Sequence, residues 1–213
     1  MIRKKTAVFS KQRTTTCLVF CFILICLSKQ DVAAAAKEQV IVAFGDSLTA
    51  GLGVPTDKTY PAQLSKKLNV QGYHYKVVNA GVSGETTAGG LRRVDWILKS
   101  QPDIVILALG ANDGLRGLSL FEMEKNLAKI IERLQEEKVK VILAGMKIPP
   151  NYGTAYTRAF EAVYPTLAKR FQTTLIPFLL EEVAAKPALN QADGIHPTAQ
   201  GYQIVVEQIW PII

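Results

Sequence analysis

The chain has 213 residues, 48% of them hydrophobic and 20% charged, which is long enough for one domain with its own core and short for two. Its net charge of +7 is unevenly distributed, because residues 37–213 hold 19 of the 25 lysines and arginines and 17 of the 18 acids, a net charge of +2. A body so nearly balanced gives no indication of binding to nucleic acid.

The first 36 residues have the pattern of a secretory signal peptide. A basic start is followed by an apolar run of 11 residues, Cys17 to Leu27, and then by small residues that permit cleavage within 33–36. Eleven apolar residues are too few to span a bilayer, which needs about 20. An uncleaved N-terminal anchor is the alternative interpretation. We therefore predict a periplasmic or secreted protein, with a single domain at 37–213 and no stable membrane insertion after cleavage.

The positions of the cysteines limit the chemistry that is available to the predicted domain. All three, Cys17, Cys21 and Cys26, lie inside the N-terminal segment, so residues 37–213 offer no disulfide, no thiol nucleophile and no cysteine ligand. The chain has two histidines, which disfavours a metal site built from protein side chains, and no glycine-rich phosphate loop of either standard spacing. We expect no metal and no cofactor.

Five short apolar runs follow, separated by longer stretches with helical spacing. The runs are rich in β-branched residues, lack alternation with polar residues and mostly end on Gly or Pro, which is typical of strands buried on both faces of a parallel sheet. They cover residues 39–45, 76–81, 103–110, 140–145 and 174–178.

The stretches between these runs predict helices. Apolar residues from Leu120 to Leu134 recur every three or four positions, and Ser119 with Glu122 forms a plausible capping box. Looser patterns predict helices at about 60–69, 86–99, 155–171 and 198–210. Alternation of strands and helices indicates a doubly wound, three-layer α/β domain with right-handed crossovers. In such folds ligands bind beyond the carboxyl ends of the strands.

Polar motifs stand where that rule expects functional residues. Gly45-Asp46-Ser47 follows the first strand, the segment 79–87 follows the second, and 110–114 follows the third. Near the C-terminus, Asp193 and His196 precede the last predicted helix. Together these motifs contain the residue types that acyl transfer requires.

Each residue type has a chemical use. The Ser47 hydroxyl is a poor nucleophile without a neighbouring base, and His196 is the candidate base. Asp193, three residues before His196, is placed to hold that ring in one tautomer. The Ser47 N–H, the Gly81 N–H and the Asn112 side-chain amide are the available donors for a tetrahedral oxyanion.

Plainer interpretations exist for each motif taken alone. Gly81, Asn112 and Asp193 occur in ordinary turn sequences, and Ser47 is also a candidate helix cap. Asp46 is expected to be a structural residue of its turn. His74, the other histidine, is expected to be exposed and has no acid nearby in sequence. The G-x-S-x-G elbow of α/β-hydrolases does not fit, because Thr49 stands at its final glycine position.

The combination of motifs is similar to the four blocks of the SGNH (GDSL-type) hydrolases. The resemblance rests on "GDSLT", on Gly81, on Asn112 within "GAND" and on His196 within "DGIHP", and it spans nearly all of 40–210. The stretches 110–117, 148–153, 164–171 and 177–183 further resemble the subgroup of bacterial periplasmic multifunctional esterases, which act as acyl-CoA thioesterase, lysophospholipase and arylesterase.

The resemblance implies a flavodoxin-like three-layer fold with a central parallel sheet of about five strands, and no cofactor. It implies Ser47 as nucleophile, His196 as general base and Asp193 as orienting acid, with Ser47, Gly81 and Asn112 forming the oxyanion hole. It also implies an acyl-binding groove that is contacted by Ile148, Pro149 and Tyr152. For that loop, a rigid proline turn with Tyr152 packed beneath it is the alternative.

The expected activity is hydrolysis of acyl esters and thioesters through an acyl-enzyme on Ser47. The expected partner is a small-molecule or lipid substrate, with no nucleic acid, and the expected oligomeric state is a monomer. Two alternatives stay open: a carbohydrate O-deacetylase of the same fold and a non-catalytic lipid-binding protein.

Overall fold

Five strands form one parallel sheet in the computed structural model, which describes Met1 and residues 38–213. The strands are β1 (Gln39–Gly45), β2 (Tyr75–Gly81), β3 (Ile104–Ala108), β4 (Lys140–Ala144) and β5 (Thr174–Ile176), in the spatial order β2-β1-β3-β4-β5. All neighbouring strands run parallel. This order is that of flavodoxin-like folds, so the predicted α/β fold class is confirmed. The predicted signal peptide, 1–36, lies outside the described residues apart from Met1.

Seven α-helices connect the strands in the described part of the chain. They are α1 (Ser47–Ala50), α2 (Tyr60–Val70), α3 (Thr87–Leu98), α4 (Ala111–Leu115), α5 (Leu120–Glu136), α6 (Thr154–Phe171) and α7 (Ala199–Ile209). Short 3₁₀ turns cover Thr56–Lys58, Pro150–Tyr152, Pro187–Leu189 and Trp210–Ile212. None of the described helices is both long enough and apolar enough to cross a bilayer.

The helices form the outer layers of the predicted sandwich. Helix α5 packs between α3 and α6, while α2 packs against α7. The stripe predicted on α5 is buried, with Leu127 and Leu134 fully inaccessible. Ser119 Oγ accepts a hydrogen bond from the Glu122 N–H at 3.3 Å, which is one of the two hydrogen bonds of the predicted capping box. The Glu122 carboxylate itself lies 3.4 Å from Lys125 Nζ.

Three strands are shorter than their sequence pattern predicted: β4 ends one residue early, at Ala144, and β3 and β5 each end two residues early. β3 ends at Ala108 and not at residue 110, because Gly110 takes a left-handed backbone with φ 113° and is the N-cap of α4. β5 ends at Ile176 and not at residue 178, because Pro177 follows Ile176 and has no N–H to donate to the neighbouring strand. In both places the turn-forming residue, Gly110 or Pro177, therefore lies just beyond the end of the strand.

Two glycines at the carboxyl edge let α1 lie close across the strand ends. Gly45 and Gly81 are paired in register at the ends of β1 and β2. A Cβ on Gly81 would lie 2.1 Å from the Ala50 N, and a Cβ on Gly45 would lie 2.1 Å from Thr49 Oγ1. Neither site therefore accommodates a side chain, and this close contact holds Ser47 directly above the sheet edge.

Candidate active site

Ser47 is the first residue of the short helix α1, immediately after β1. Asp46 caps this helix, since its Oδ1 accepts a hydrogen bond from the Leu48 N–H at 3.0 Å. Ser47 itself is 9% exposed. Because Ser47 lies in the first turn, its N–H has no acceptor within the helix.

Ser47, His196 and Asp193 form a continuous chain of hydrogen bonds. The Ser47 Oγ lies 2.8 Å from His196 Nε2, and His196 Nδ1 lies 2.7 Å from Asp193 Oδ2. The second oxygen of Asp193 accepts hydrogen bonds from the N–H groups of Ile195 and His196 at 2.9 and 3.0 Å. The structure thus brings together all three residues that the sequence predicted as a triad.

The state of Asp193 determines the tautomer of His196. Hydrogen bonds from the backbone N–H groups of His196 and Ile195 and from the His196 ring lower the pKa of Asp193 to about 2. An ionised carboxylate can only accept, so His196 Nδ1 carries the proton, and Nε2 of the neutral ring presents a lone pair to Ser47 Oγ. That arrangement suits a base that removes a proton from the serine hydroxyl.

The predicted oxyanion donors lie around Ser47 but have partners already. Asn112 Nδ2 donates to Asp46 Oδ2 at 3.2 Å and to the Glu85 carbonyl at 3.1 Å. The Gly81 N–H donates to Asn79 Oδ1 at 3.0 Å. At 3.0–3.2 Å these are ordinary hydrogen bonds, so a substrate carbonyl has to displace or share them to bind either donor. The Ser47 N–H is the remaining donor.

Asp46 has a larger role than the sequence indicated. It is 1% exposed and joins the helix that carries Ser47 to the side chain of Asn112, 66 residues away. Burial raises the pKa of Asp46 to about 6, although hydrogen bonds from Leu48 and Asn112 and the nearby charge of His196 favour its ionised form. The available signal was a polar pair, Asp46 and Ser47, directly after β1, together with Asn112 after β3, the strand that lies beside β1.

An internal ion pair supports the same strand ends from below. Arg93 pairs with Glu85, and both side chains are largely buried, with exposures of 17% and 8%. The Arg93 guanidinium also donates to the Ala80 carbonyl at 2.8 Å and to the Gly45 carbonyl at 3.2 Å. The Glu85 carbonyl also accepts a hydrogen bond from Asn112 Nδ2. The ion pair therefore connects the ends of β1 and β2 to the Asn112 side chain. Sequence reasoning missed it, because a Glu and an Arg eight residues apart have many ordinary uses.

An apolar groove of about 570 Å³ opens beside Ser47 and His196. Asn112 lines it but Gly81 does not, and its walls are formed mainly by aliphatic and aromatic side chains: Leu48, Leu52, Leu115, Met146, Ile148, Phe178 and Leu180. A wider cavity of about 770 Å³ lies between α2 and α7, but lysines and glutamines line much of it and no predicted site residue does. The groove at Ser47 is therefore the better candidate for ligand binding.

The loop predicted to contact an acyl chain divides between two environments. Ile148 and Pro149 line the groove. Tyr152 is 38% exposed and is not part of the lining; its hydroxyl donates to the Leu115 carbonyl at 2.9 Å, and its ring stacks on Tyr156. Tyr152 therefore fixes the loop to the end of α4 from outside.

His74 is exposed, as predicted. Within the residues that the structure describes, no group of three His, Cys, Asp or Glu side chains is arranged to hold a metal ion.

Comparison with known proteins matches residues 43–204 to the GDSL-like lipase/acylhydrolase family. Esterase TesA of Pseudomonas aeruginosa is 41% identical over 194 residues, which are 91% of this chain and 94% of that protein. Thioesterase 1/protease 1/lysophospholipase L1 of Escherichia coli (strain K12) is 38% identical over 184 residues, 84% of this chain and 87% of that protein. The crystal structure of AlinE4, an SGNH-hydrolase family esterase, has a TM-score of 0.71 at 46% identity and covers 82% of this chain and 94% of its own.

Proposed function

The chain belongs to the GDSL-like lipase/acylhydrolase family and is a serine esterase, and we propose that Ser47, His196 and Asp193 are its catalytic triad. One observation carries the assignment of residues: the unbroken hydrogen-bond chain from Asp193 Oδ2 through both ring nitrogens of His196 to Ser47 Oγ. A nucleophile, a base in its correct tautomer and an acid that fixes that tautomer are the parts that acyl transfer needs.

The reaction proceeds in two halves. His196 Nε2 takes the proton of Ser47 Oγ as that oxygen attacks the acyl carbonyl, and the tetrahedral oxyanion accepts hydrogen bonds from Ser47 N–H, Gly81 N–H and Asn112 Nδ2. The leaving alcohol or thiol takes the proton from Nε2 as its bond to the acyl carbon breaks. Water then gives a proton to Nε2, attacks the acyl-enzyme and releases the fatty acid, and Ser47 regains its proton.

The substrates proposed for this site are acyl esters and thioesters, including lysophospholipids, acyl-CoA and aryl esters. The apolar walls of the groove support an alkyl chain of several carbons beside Ser47, with Ile148 and Pro149 in contact with it. The names of the relatives, an esterase and a thioesterase with lysophospholipase activity, support the same substrate classes.

The location proposed for the mature protein is the periplasm or the medium, as a monomer. The support is the signal-peptide pattern of residues 1–36, with cleavage within 33–36 and a single domain at 37–213. Mass spectrometry of the protein recovered from an extracytoplasmic fraction gives its N-terminus directly, and an N-terminus outside 34–37 would contradict this cleavage.

Ser47→Ala tests the mechanism. We expect a folded protein that neither hydrolyses p-nitrophenyl octanoate nor reacts with a fluorophosphonate, whereas Ser65→Ala on α2 keeps both properties. Near-normal hydrolysis by Ser47→Ala would reject the nucleophile. Absence of labelling in the wild type would favour a non-catalytic lipid-binding protein. A strong preference for acetyl over octanoyl esters would favour a carbohydrate O-deacetylase.

A further inference from the structure

Arg116 places a guanidinium at the rim of the groove. It follows α4 directly and is exposed, and its Nη2 donates to the Gly84 carbonyl at 2.9 Å and lies 3.5 Å from Asn112 Oδ1. Gly84 and Asn112 both line the groove. The cation is therefore held at the edge that carries the proposed oxyanion donor.

Two other cations near the groove are paired with carboxylates. Lys147, which lines the groove, lies 3.6 Å from Glu161 and 3.5 Å from Glu181. Arg93 pairs with Glu85. Arg116 by contrast forms no ion pair with any carboxylate among the described residues. Its Nε and Nη1 groups also have no acceptor within that part of the chain, so three of the five N–H donors of the guanidinium remain available to a ligand.

From this arrangement we propose that Arg116 binds a phosphate carried by the leaving group of the substrate. The inference rests on the proposed function, because it takes Asn112 as the donor to the ester carbonyl. A guanidinium offers paired N–H groups that match phosphate oxygens, and its charge persists at any physiological pH. The leaving group bound there is an alcohol that carries a phosphate, and Arg116 favours its esters over those of a neutral alcohol.

The short reach of Arg116 distinguishes two sources of phosphate. The guanidinium lies next to Asn112 Oδ1, so it is within a few bond lengths of an ester whose carbonyl oxygen binds Asn112 Nδ2. In a 1-acylglycerol 3-phosphate, three carbons separate the ester oxygen from the phosphate ester oxygen. In an acyl-CoA the whole pantetheine arm separates the thioester from the first phosphate. Arg116 therefore favours glycerophosphate esters over coenzyme A thioesters.

The test compares substrates that share one acyl chain, below their critical micelle concentrations. Wild type, Arg116→Gln and Arg116→Lys are assayed on 1-octanoylglycerol 3-phosphate, 1-octanoylglycerol and octanoyl-CoA. Arg116→Gln is expected to lower the ratio of kcat/KM for the phosphate ester to that for the neutral ester about 10-fold, mainly through KM, as for loss of one charge-assisted hydrogen bond. Arg116→Lys retains part of the preference. Arg92→Gln, which removes an exposed arginine outside the groove, leaves the ratio unchanged.

Salt supplies a second measurement. The preference of the wild type for the phosphate ester should fall as ionic strength rises, and that of Arg116→Gln should not. An equal loss on all three substrates would overturn the inference and reduce Arg116 to a positioning residue for Asn112. A selective loss on octanoyl-CoA would assign the cation to the other phosphate source. If the wild type cleaves the two glycerol esters at equal rates, only this inference fails; if it cleaves no ester at all, the proposed function fails.

Discussion

The two halves of the site are built in opposite ways. The strand-end half, defined here as Asp46, Ser47 and Asn112, is held by the sheet edge, and its carboxyl group is 1% exposed. The loop half, Asp193 and His196, lies on an irregular segment where the Asp193 side chain is 45% exposed. Burial raises the pKa of Asp46 to about 6, whereas hydrogen bonds lower the pKa of Asp193 to about 2. The same side chain is thus adjusted in opposite directions by desolvation and by donated hydrogen bonds.

The difference implies separate tasks for the two carboxyl groups. With its pKa lowered to about 2, Asp193 is ionised at neutral pH, so it can orient and stabilise a charged His196 ring. Asp46 changes protonation within a physiologically accessible range, beside the amide that is proposed to face a developing negative charge. Three substitutions separate these tasks.

The largest effect is expected for Asp193→Asn. An amide at this position can donate to His196 Nδ1 and thereby stabilise the tautomer with its proton on Nε2, which cannot accept the Ser47 proton. We expect kcat to fall about 10³- to 10⁴-fold with KM little changed. Steady-state assays on p-nitrophenyl octanoate check this, with Asp57→Asn, an exposed acid far from the triad, as the control. Retention of a tenth of the activity would mean that the loop half does not set the tautomer.

A smaller effect is expected for Asn112→Ala. This change removes one preorganised donor from the proposed oxyanion hole and leaves the triad intact. Losing such a donor typically lowers kcat about 10²- to 10³-fold. Asn69→Ala on α2 is the matched control, and labelling of Ser47 by a fluorophosphonate verifies that the nucleophile remains in place. A change confined to KM would assign Asn112 to substrate binding alone.

Asp46→Asn is expected to change the pH dependence of stability. Because the folded pKa of Asp46 is raised from 3.8 to about 6, the folded state holds this proton more tightly than the unfolded chain does. The resulting stabilisation is fully present below pH 3.8 and is lost as the pH rises through about 6. The asparagine variant lacks this term, so its stability relative to wild type should increase from pH 4 to pH 7 by on the order of 1–3 kcal/mol.

Urea unfolding of both proteins at several pH values measures this difference. Asp57→Asn serves again as the control for a general change in charge. Parallel curves for wild type and Asp46→Asn across the range would show that Asp46 ionises normally inside the folded protein, and the contrast between the two halves would then vanish.

The sequence predicted the five strands, the five longer helices and the triad, but not the short helices α1 and α4 or the contacts between motifs. Continuous apolar runs identified all five strands, because strands buried on both faces need no polar alternation. The i, i+3 spacing of Asp193 and His196 is local, so it could be read directly. The errors at β3 and β5 came from extending apolar runs through Gly110 and Pro177, both of which end a strand for local steric reasons.

The supporting contacts were not accessible in the same way. Asp46 meets Asn112 across 66 residues, and Arg93 reaches the ends of β1 and β2 at once. Such contacts depend on strand order and on how far each loop turns back over the sheet. Neither is encoded in the spacing of one motif. Tyr152 illustrates the same limit, since an exposed aromatic ring at a proline turn can face a groove or a neighbouring loop, and here its hydroxyl binds the Leu115 carbonyl.

The closeness of Asp193 and His196 in one loop has a consequence for engineering. The segment closes on itself, because the Gln191 N–H donates to the His196 carbonyl at 2.8 Å and the Gly194 N–H donates to the Gln191 carbonyl at 2.9 Å. Base and acid therefore form one cassette of six residues, Gln191 to His196, which a hydrogen bond from Gln191 Nε2 joins to the Leu52 carbonyl at 2.7 Å. A design based on another parallel sheet would need to graft that cassette opposite one serine at a strand end, whereas a triad whose acid lies on a separate strand requires two independently placed grafts.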